Sequence, residues 1–321
     1  MVKKIFILSF VAIMLASCSN EQEIITTKTN IENNPIESFK LKIDSLNAIY
    51  SNGINMHETR GYVTSHYLGV GADAVGSFVG GKIFSWAGSA IGAACGNPII
   101  AVGGYLAGRK FGSSAGSAVA SIGAAMLLDR YSTRSCLTTL PVLNDDYIVN
   151  IENPDSITDG ELHNLIVVEL LNNIDKYVLL NGELNYELIL EDAYKIENRI
   201  QPYEFYEEFK KVCMENAIEQ TKRIVNSSRL LAEDNGAFLD QVFEQLIPEL
   251  NISKTEFDDA NLLSRKVLST YIKLDSLSVT EFSKSIDSVI DSSELNTNLK
   301  SELKSSNSIM RNSKIIWSEV K

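Results

Sequence analysis

The stretch Ala101–Ala125, AVGGYLAGRKFGSSAGSAVASIGAA, decides how this chain is read. It is nearly free of large polar side chains, and its small residues recur every four positions. Extending that grid in both directions collects Ala72, Gly76, Gly80, Gly88, Gly92, Gly96, Gly104, Gly108, Gly112, Gly116, Ala120 and Ala124, with gaps only at Phe84 and Ile100. Fourteen of the 19 glycines lie between Gly69 and Gly123, so the pattern is local and not a consequence of overall composition. Residues four apart share one face of a helix. Each glycine weakens an isolated helix by about 1 kcal/mol relative to alanine. A face of glycines offsets this only where two backbones approach closely and gain van der Waals contact. The spacing therefore predicts tightly packed helices over Gly69–Leu128.

CGNPII interrupts the pattern, because Pro98 disfavours helix at Asn97. One reading is a helical hairpin, with arms of about Val70–Cys95 and Ile99–Leu128. Another splits the segment at Arg109–Lys110, giving an uncharged run Ile83–Gly108 kinked at Pro98 and a second run Phe111–Leu128. Both runs approach the roughly 20 residues that span a bilayer. Within Gly69–Leu128 the only charged residues are Asp73, Lys82, Arg109 and Lys110. Insertion in a membrane and burial beneath a helical domain are both compatible with this pattern.

The rest of the chain is different. Its 321 residues carry a net charge of −12, and acidic residues crowd the segment after Asp145. An acidic surface repels phosphate backbones, so nucleic acid is not an expected partner. From Thr158 onward the chain reads as successive amphipathic helices. Thr158 with Glu161, Ser253 with Glu256, and Ser278 with Glu281 have the spacing of capping boxes. Pro202 is placed in the first turn of a long helix reaching about Leu231. A last helix spans about Leu295–Val320. The expected fold is all-α: a glycine-zipper helical hairpin followed by an α-helical bundle over residues 155–321.

At the other end, MVKKIFILSFVAIMLASC has Lys3 and Lys4 before an uncharged, mostly apolar run that is too short to cross a bilayer. It reads as a signal peptide over residues 1–17. Leu15-Ala16-Ser17-Cys18 resembles the lipobox of bacterial lipoproteins. That resemblance implies cleavage before Cys18 and lipidation of Cys18 by acyl chains such as palmitate. More than one chain would hold the protein stably, at about 0.8 kcal/mol per buried methylene. SNEQE, which follows, resembles the acidic surface-export tags of some Gram-negative lipoproteins. Residues 18–60 then form a polar tether, within which IESFKLKIDSLNAIY has apolar residues at helical spacing. Gly69–Leu128 resembles the glycine-zipper hairpins of envelope lipoproteins, and also the glycine-rich helices of pore-forming bacteriocins.

Chemistry is sparse. Three cysteines remain after Cys18: Cys95, Cys136 and Cys213. Cys136 and Cys213 are the candidate disulfide pair, since export permits one and Cys95 sits among small apolar residues. The histidines are His57, His66 and His163. His57 with Glu58 lacks the second histidine of a zinc helix, and His66 has no ligand neighbours. His163 lies inside an amphipathic helix and reads as a core residue. No cysteine pair has metal-ligand spacing. DSITDGE lacks the later ligands of a calcium loop, and GVGADAVG lacks the spacing of a dinucleotide fingerprint. EFYEEF, with Tyr203, Phe205, Tyr206 and Phe209, reads as core packing. The expectations are therefore no enzyme site, no cofactor and no metal. They are membrane lipid as partner, homo-oligomerisation, and a place in the bacterial cell envelope, lipid-anchored at the outer membrane. The alternative is a membrane-active, pore-forming toxin.

Overall fold

A computed structural model describes residues 34–51, 70, 72–73, 112–124, 126, 157–203, 206–231 and 262–319. Among these the fold is all-α, as expected. The elements are α1 (Pro35–Ser51), the helical residues 112–124 of the glycine-rich segment, α2 (Asp159–Asn172), a 3-10 turn (Ile174–Lys176), α3 (Tyr186–Ile200), α4 (Tyr206–Leu231), α5 (Leu262–Lys273), α6 (Ser276–Asp291) and α7 (Thr297–Glu319). Only an isolated antiparallel bridge, Val178 with Leu184, interrupts the helical pattern among the described residues. It closes the turn between α2 and α3, where Gly182 takes φ 79°, a conformation that costs an L side chain strain.

The helix starts follow local chemistry. In α2 the Thr158 hydroxyl accepts from the Glu161 N–H while the Glu161 carboxylate accepts from the Thr158 N–H, so the expected capping box is present. Pro35 opens α1 at a position whose N–H needs no partner, and Asn34 Oδ1 accepts from Ile36 N–H and Glu37 N–H at 3.1 and 3.4 Å. Two expectations need correction. α6 is capped by Asp275 and not by Ser278. The Asp275 carboxylate accepts from the N–H groups of Leu277 and Ser278, and an ionised acceptor outcompetes a hydroxyl three residues later. Pro202 lies in the connection between α3 and α4, outside both helices. There Asn198 Oδ1 accepts from the Tyr203 N–H at 2.8 Å, which holds the chain in a turn past Pro202. The Ser253–Glu256 box lies outside the described residues.

α7 is the organising helix: it packs on α2, α5 and α6. α3 packs on both α2 and α4. α1 is helical where the periodicity predicted, and it docks on α5 and α6. Phe39 and Ile43 are fully buried, with Leu46 and Tyr50 packed beside them along the same stripe. Burying two such side chains contributes about 1.5–3 kcal/mol each. Polar contacts fix the dock. Asn47 Nδ2 donates to Lys266 O and Thr270 Oγ1 donates to Asn47 Oδ1, while Lys266 pairs with Asp44 at 2.8 Å. The Tyr50 ring meets Phe282 at 4.9 Å between centroids.

Residues 112–124 are buried on every face, Gly112 and Gly116 included. Ala115, Ala118, Val119, Ala120, Ile122 and Ala124 join the core of the helical domain. Three buried serines find partners within the segment or on α2: Ser117 and Ser121 donate to carbonyls three residues back, and Ser114 donates to Asp159 O. Gly123 is the close approach to α4, since an added Cβ would lie 2.4 Å from Val225 Cγ2. Gly123 stands off the four-residue grid. Gly88, Gly92, Gly96, Gly104, Gly108 and the turn at Pro98 lie outside the described residues. So do Cys18, Cys95, Cys136, His57, His66, Phe205 and the side chains of Phe209 and Cys213. Among the described residues no helix is long and apolar enough to cross a membrane.

Candidate functional site

The chemistry-bearing cluster of the described structure lies where the glycine-rich segment meets α2 and α7. It is built from backbone proximity. Gly160, in the first turn of α2, lets α7 come so close that a Cβ there would lie 2.2 Å from Ser308 O and 2.4 Å from Asn312 Nδ2. The Gly160 N–H donates to Ser308 Oγ at 3.1 Å. His163 is three residues further along the same face of α2. Ser313 and Trp317 are four apart on α7 and also share a face. Asp73, from the helical residues 72–73, enters between them.

All of these side chains are dry. His163, Asp73 and Ser313 are fully buried and Trp317 is buried. His163 Nε2 and Asp73 Oδ1 lie 3.0 Å apart. The contact has ion-pair distance but is not aligned as a hydrogen bond. The Ser313 hydroxyl donates to Asp73 Oδ2, and Trp317 Nε1 donates to the same oxygen at 3.4 Å. The other ring nitrogen, His163 Nδ1, faces Asn164 Oδ1 at 2.9 Å. The Asn164 amide is oriented by its own Nδ2, which donates to Asn312 O at 3.1 Å. Asn164 Oδ1 is therefore an acceptor and His163 Nδ1 carries a proton. A buried carboxylate and a buried imidazole at this distance offset part of each other's cost of burial.

The arrangement has the residue types of a Ser–His–Asp triad but a different order of contacts. Ser313 donates to Asp73 and not to His163, and all three side chains are fully buried. What the cluster does chemically is tie three chain segments together across 90 and 240 residues of sequence.

A second buried network joins α5, α6 and α7. Tyr271 donates to Asn307 Oδ1 at 2.5 Å, and Asn307 Nδ2 donates to Ser283 O and Asp287 Oδ1. Burial pushes the Tyr271 hydroxyl up from its ordinary value, and burial likewise raises the Asp287 carboxyl, against the hydrogen bond from Asn307. A cleft of about 460 Å³ opens elsewhere, where Gly123 and Met126 meet the α2–α3 turn and Lys222 and Asn226 of α4. Among the described residues no group of three or more His, Cys, Asp or Glu side chains is placed to hold a metal ion.

Of the residues singled out by sequence, His163 is a core residue, as expected, and the glycine-rich segment is where it docks. Asp73 was visible only as one charge in an apolar run. Ser313 and Trp317 carried no signal, because their role depends on a partner 240 residues away. Comparison with protein-family models, with curated proteins and with solved structures finds no match for this chain.

Proposed function

We propose that this chain is a lipid-anchored protein of the bacterial cell envelope. In this reading Cys18 carries the lipid, and the glycine-rich hairpin serves membrane association or oligomerisation. The observation that carries it is the burial of residues 112–124 on every face, within the core shared with the acidic C-terminal helices. A chain that buries part of a glycine-rich apolar segment in the core of an acidic helical domain has a surface for the aqueous side and a segment for contact with lipid or a second copy. The lipobox resemblance at Leu15–Cys18 supports the anchor.

The same burial favours a second reading, a pore-forming toxin that keeps its hairpin covered until it meets a target membrane. Flotation with liposomes and dye release separate the two. The first reading expects a Cys18→Ala chain lacking residues 1–17 to bind vesicles or self-associate without releasing dye, and the lipidated protein to stay in the producer's envelope. Dye release at low protein-to-lipid ratio would replace it with the toxin reading. A soluble, monomeric protein without affinity for vesicles would leave the lipid as sole anchor and overturn the role given to the hairpin.

A further inference from the structure

We propose that the His163–Asp73 pair, with Ser313 and Trp317, is a latch that holds residues 72–73 and 112–124 of the glycine-rich segment in the helical domain, so that breaking it frees those residues before the rest of the fold. The inference rests on the functional reading above for its membrane consequence, but the latch itself rests on geometry alone.

Three features distinguish this cluster from ordinary core packing. First, Asp73 is the only acidic residue in Gly69–Leu128, and it is spent on a contact that leaves no part of it exposed. Second, among the described residues the polar atoms it reaches belong to other segments: His163 on α2, and Ser313 and Trp317 on α7. Third, among the described residues the rest of the segment's grip comes largely from small side chains. Residues 112–124 bury alanine, valine and isoleucine side chains in the shared core, and Ser114 donates to Asp159 O of α2. Small side chains bury little area each, so their hold is weak per residue. A buried carboxylate–imidazole pair, by contrast, is strongly destabilising when one partner is removed, because the other is left uncompensated in a dry site. The second network, Tyr271–Asn307–Asp287, ties α5, α6 and α7 to one another and touches no described residue of the glycine-rich segment. Loss of the first network therefore loosens residues 72–73 and 112–124 while the second still holds α5, α6 and α7 together.

The test is hydrogen exchange on the full chain, comparing residues 112–124 with α6. Asp73→Leu and His163→Leu each break the pair. Ser313→Ala and Trp317→Phe each remove one donor and leave no orphaned charge. Asp73→Asn keeps acceptors for Ser313 and Trp317 and offers an N–H to His163 Nε2. The latch predicts exchange in 112–124 at least about tenfold faster in the Leu variants, a smaller rise in the single-donor variants, and the least change in Asp73→Asn, with α6 unchanged throughout. A uniform rise in both regions, or none in 112–124, would overturn it. Should the Leu variants fail to fold, the ranking of the three milder variants decides the question by the same criterion. Flotation with anionic vesicles, read as the difference from the unsubstituted chain, tests the membrane consequence separately. Selective exchange with no gain in flotation keeps the latch and rejects the membrane reading; selective exchange with gain supports both.

Discussion

Gly160→Ala should separate α2 from α7. An alanine Cβ at this position would sit 2.2 Å from Ser308 O, 2.6 Å from Ser308 C and 2.4 Å from Asn312 Nδ2. Two of the three atoms are backbone, so no rotamer change relieves the clash. Ordinary contact begins near 3.4 Å, so the two helices must part by more than 1 Å at this point. Overpacking of this kind costs about 1–3 kcal/mol and sometimes more, and a rigid obstacle puts it at the upper end. The parting also breaks the hydrogen bond from Gly160 N–H to Ser308 Oγ, worth about 1 kcal/mol. Alanine returns at most about 1 kcal/mol of helix propensity. The net loss is about 3 kcal/mol, or a melting temperature lower by about 6–12 °C for a domain of this size. Asn312→Ala in the same background should not restore it, since the carbonyl of Ser308 remains in the way. Asn172→Ala, exposed on α2, should stay within about 0.5 kcal/mol of the parent. Circular dichroism melts of the four proteins check this. A Gly160→Ala melt within about 2 °C of the parent would refute the close approach of α2 to α7 on which the His163–Asp73 contact depends.

Gly123→Ala should cost less, about 1–2 kcal/mol, because its obstacle is the Val225 side chain, although a β-branched and buried one. Val225→Ala should recover part of that loss, and a double-mutant cycle with no coupling would exclude the contact. Asp275→Ala should cost about 1 kcal/mol at neutral pH as the loss of an N-cap. Hydrogen bonds from the Ser278 N–H and hydroxyl, and then from the Leu277 N–H, hold Asp275 below its ordinary value of 3.8. A depressed carboxyl stabilises the fold above the unfolded pKa and loses that contribution as pH falls through the folded one. The melts of Asp275→Ala and its parent should therefore differ above about pH 4 and converge toward pH 2. A gap that stays constant across that range would show that Asp275 does not cap α6 as a carboxylate.

Much of the helical architecture was legible. The Thr158–Glu161 box, the stripe Phe39–Ile43–Leu46–Tyr50 and the run from Leu295 to Val320 are patterns of a few residues, and helix formation responds to such patterns directly. Ser278 misled because two local caps competed, and only the better acceptor, Asp275, won. Pro202 misled because its φ suits a helix start and a turn equally, and the Asn198–Tyr203 hydrogen bond chose the turn. His163 was legible as a core residue from its place on an amphipathic helix. Its partner was not, because nothing near either residue in sequence records that Asp73 stands 90 residues upstream on the facing backbone.

Local pattern was enough to say that the chain is helical, that residues 112–124 of the glycine-rich segment form a helix of small residues, and that most of the charge lies outside that segment. Those properties depend on neighbours within a turn or two, where spacing and side-chain volume act without reference to the rest of the chain. The tertiary structure alone decided that residues 112–124 are enclosed and that Gly123, off the grid, is the glycine meeting Val225. It also decided that one aspartate joins α2 to α7. Each of these depends on which backbones come within a few ångströms of one another, and that is settled by how elements far apart in sequence pack on a shared core.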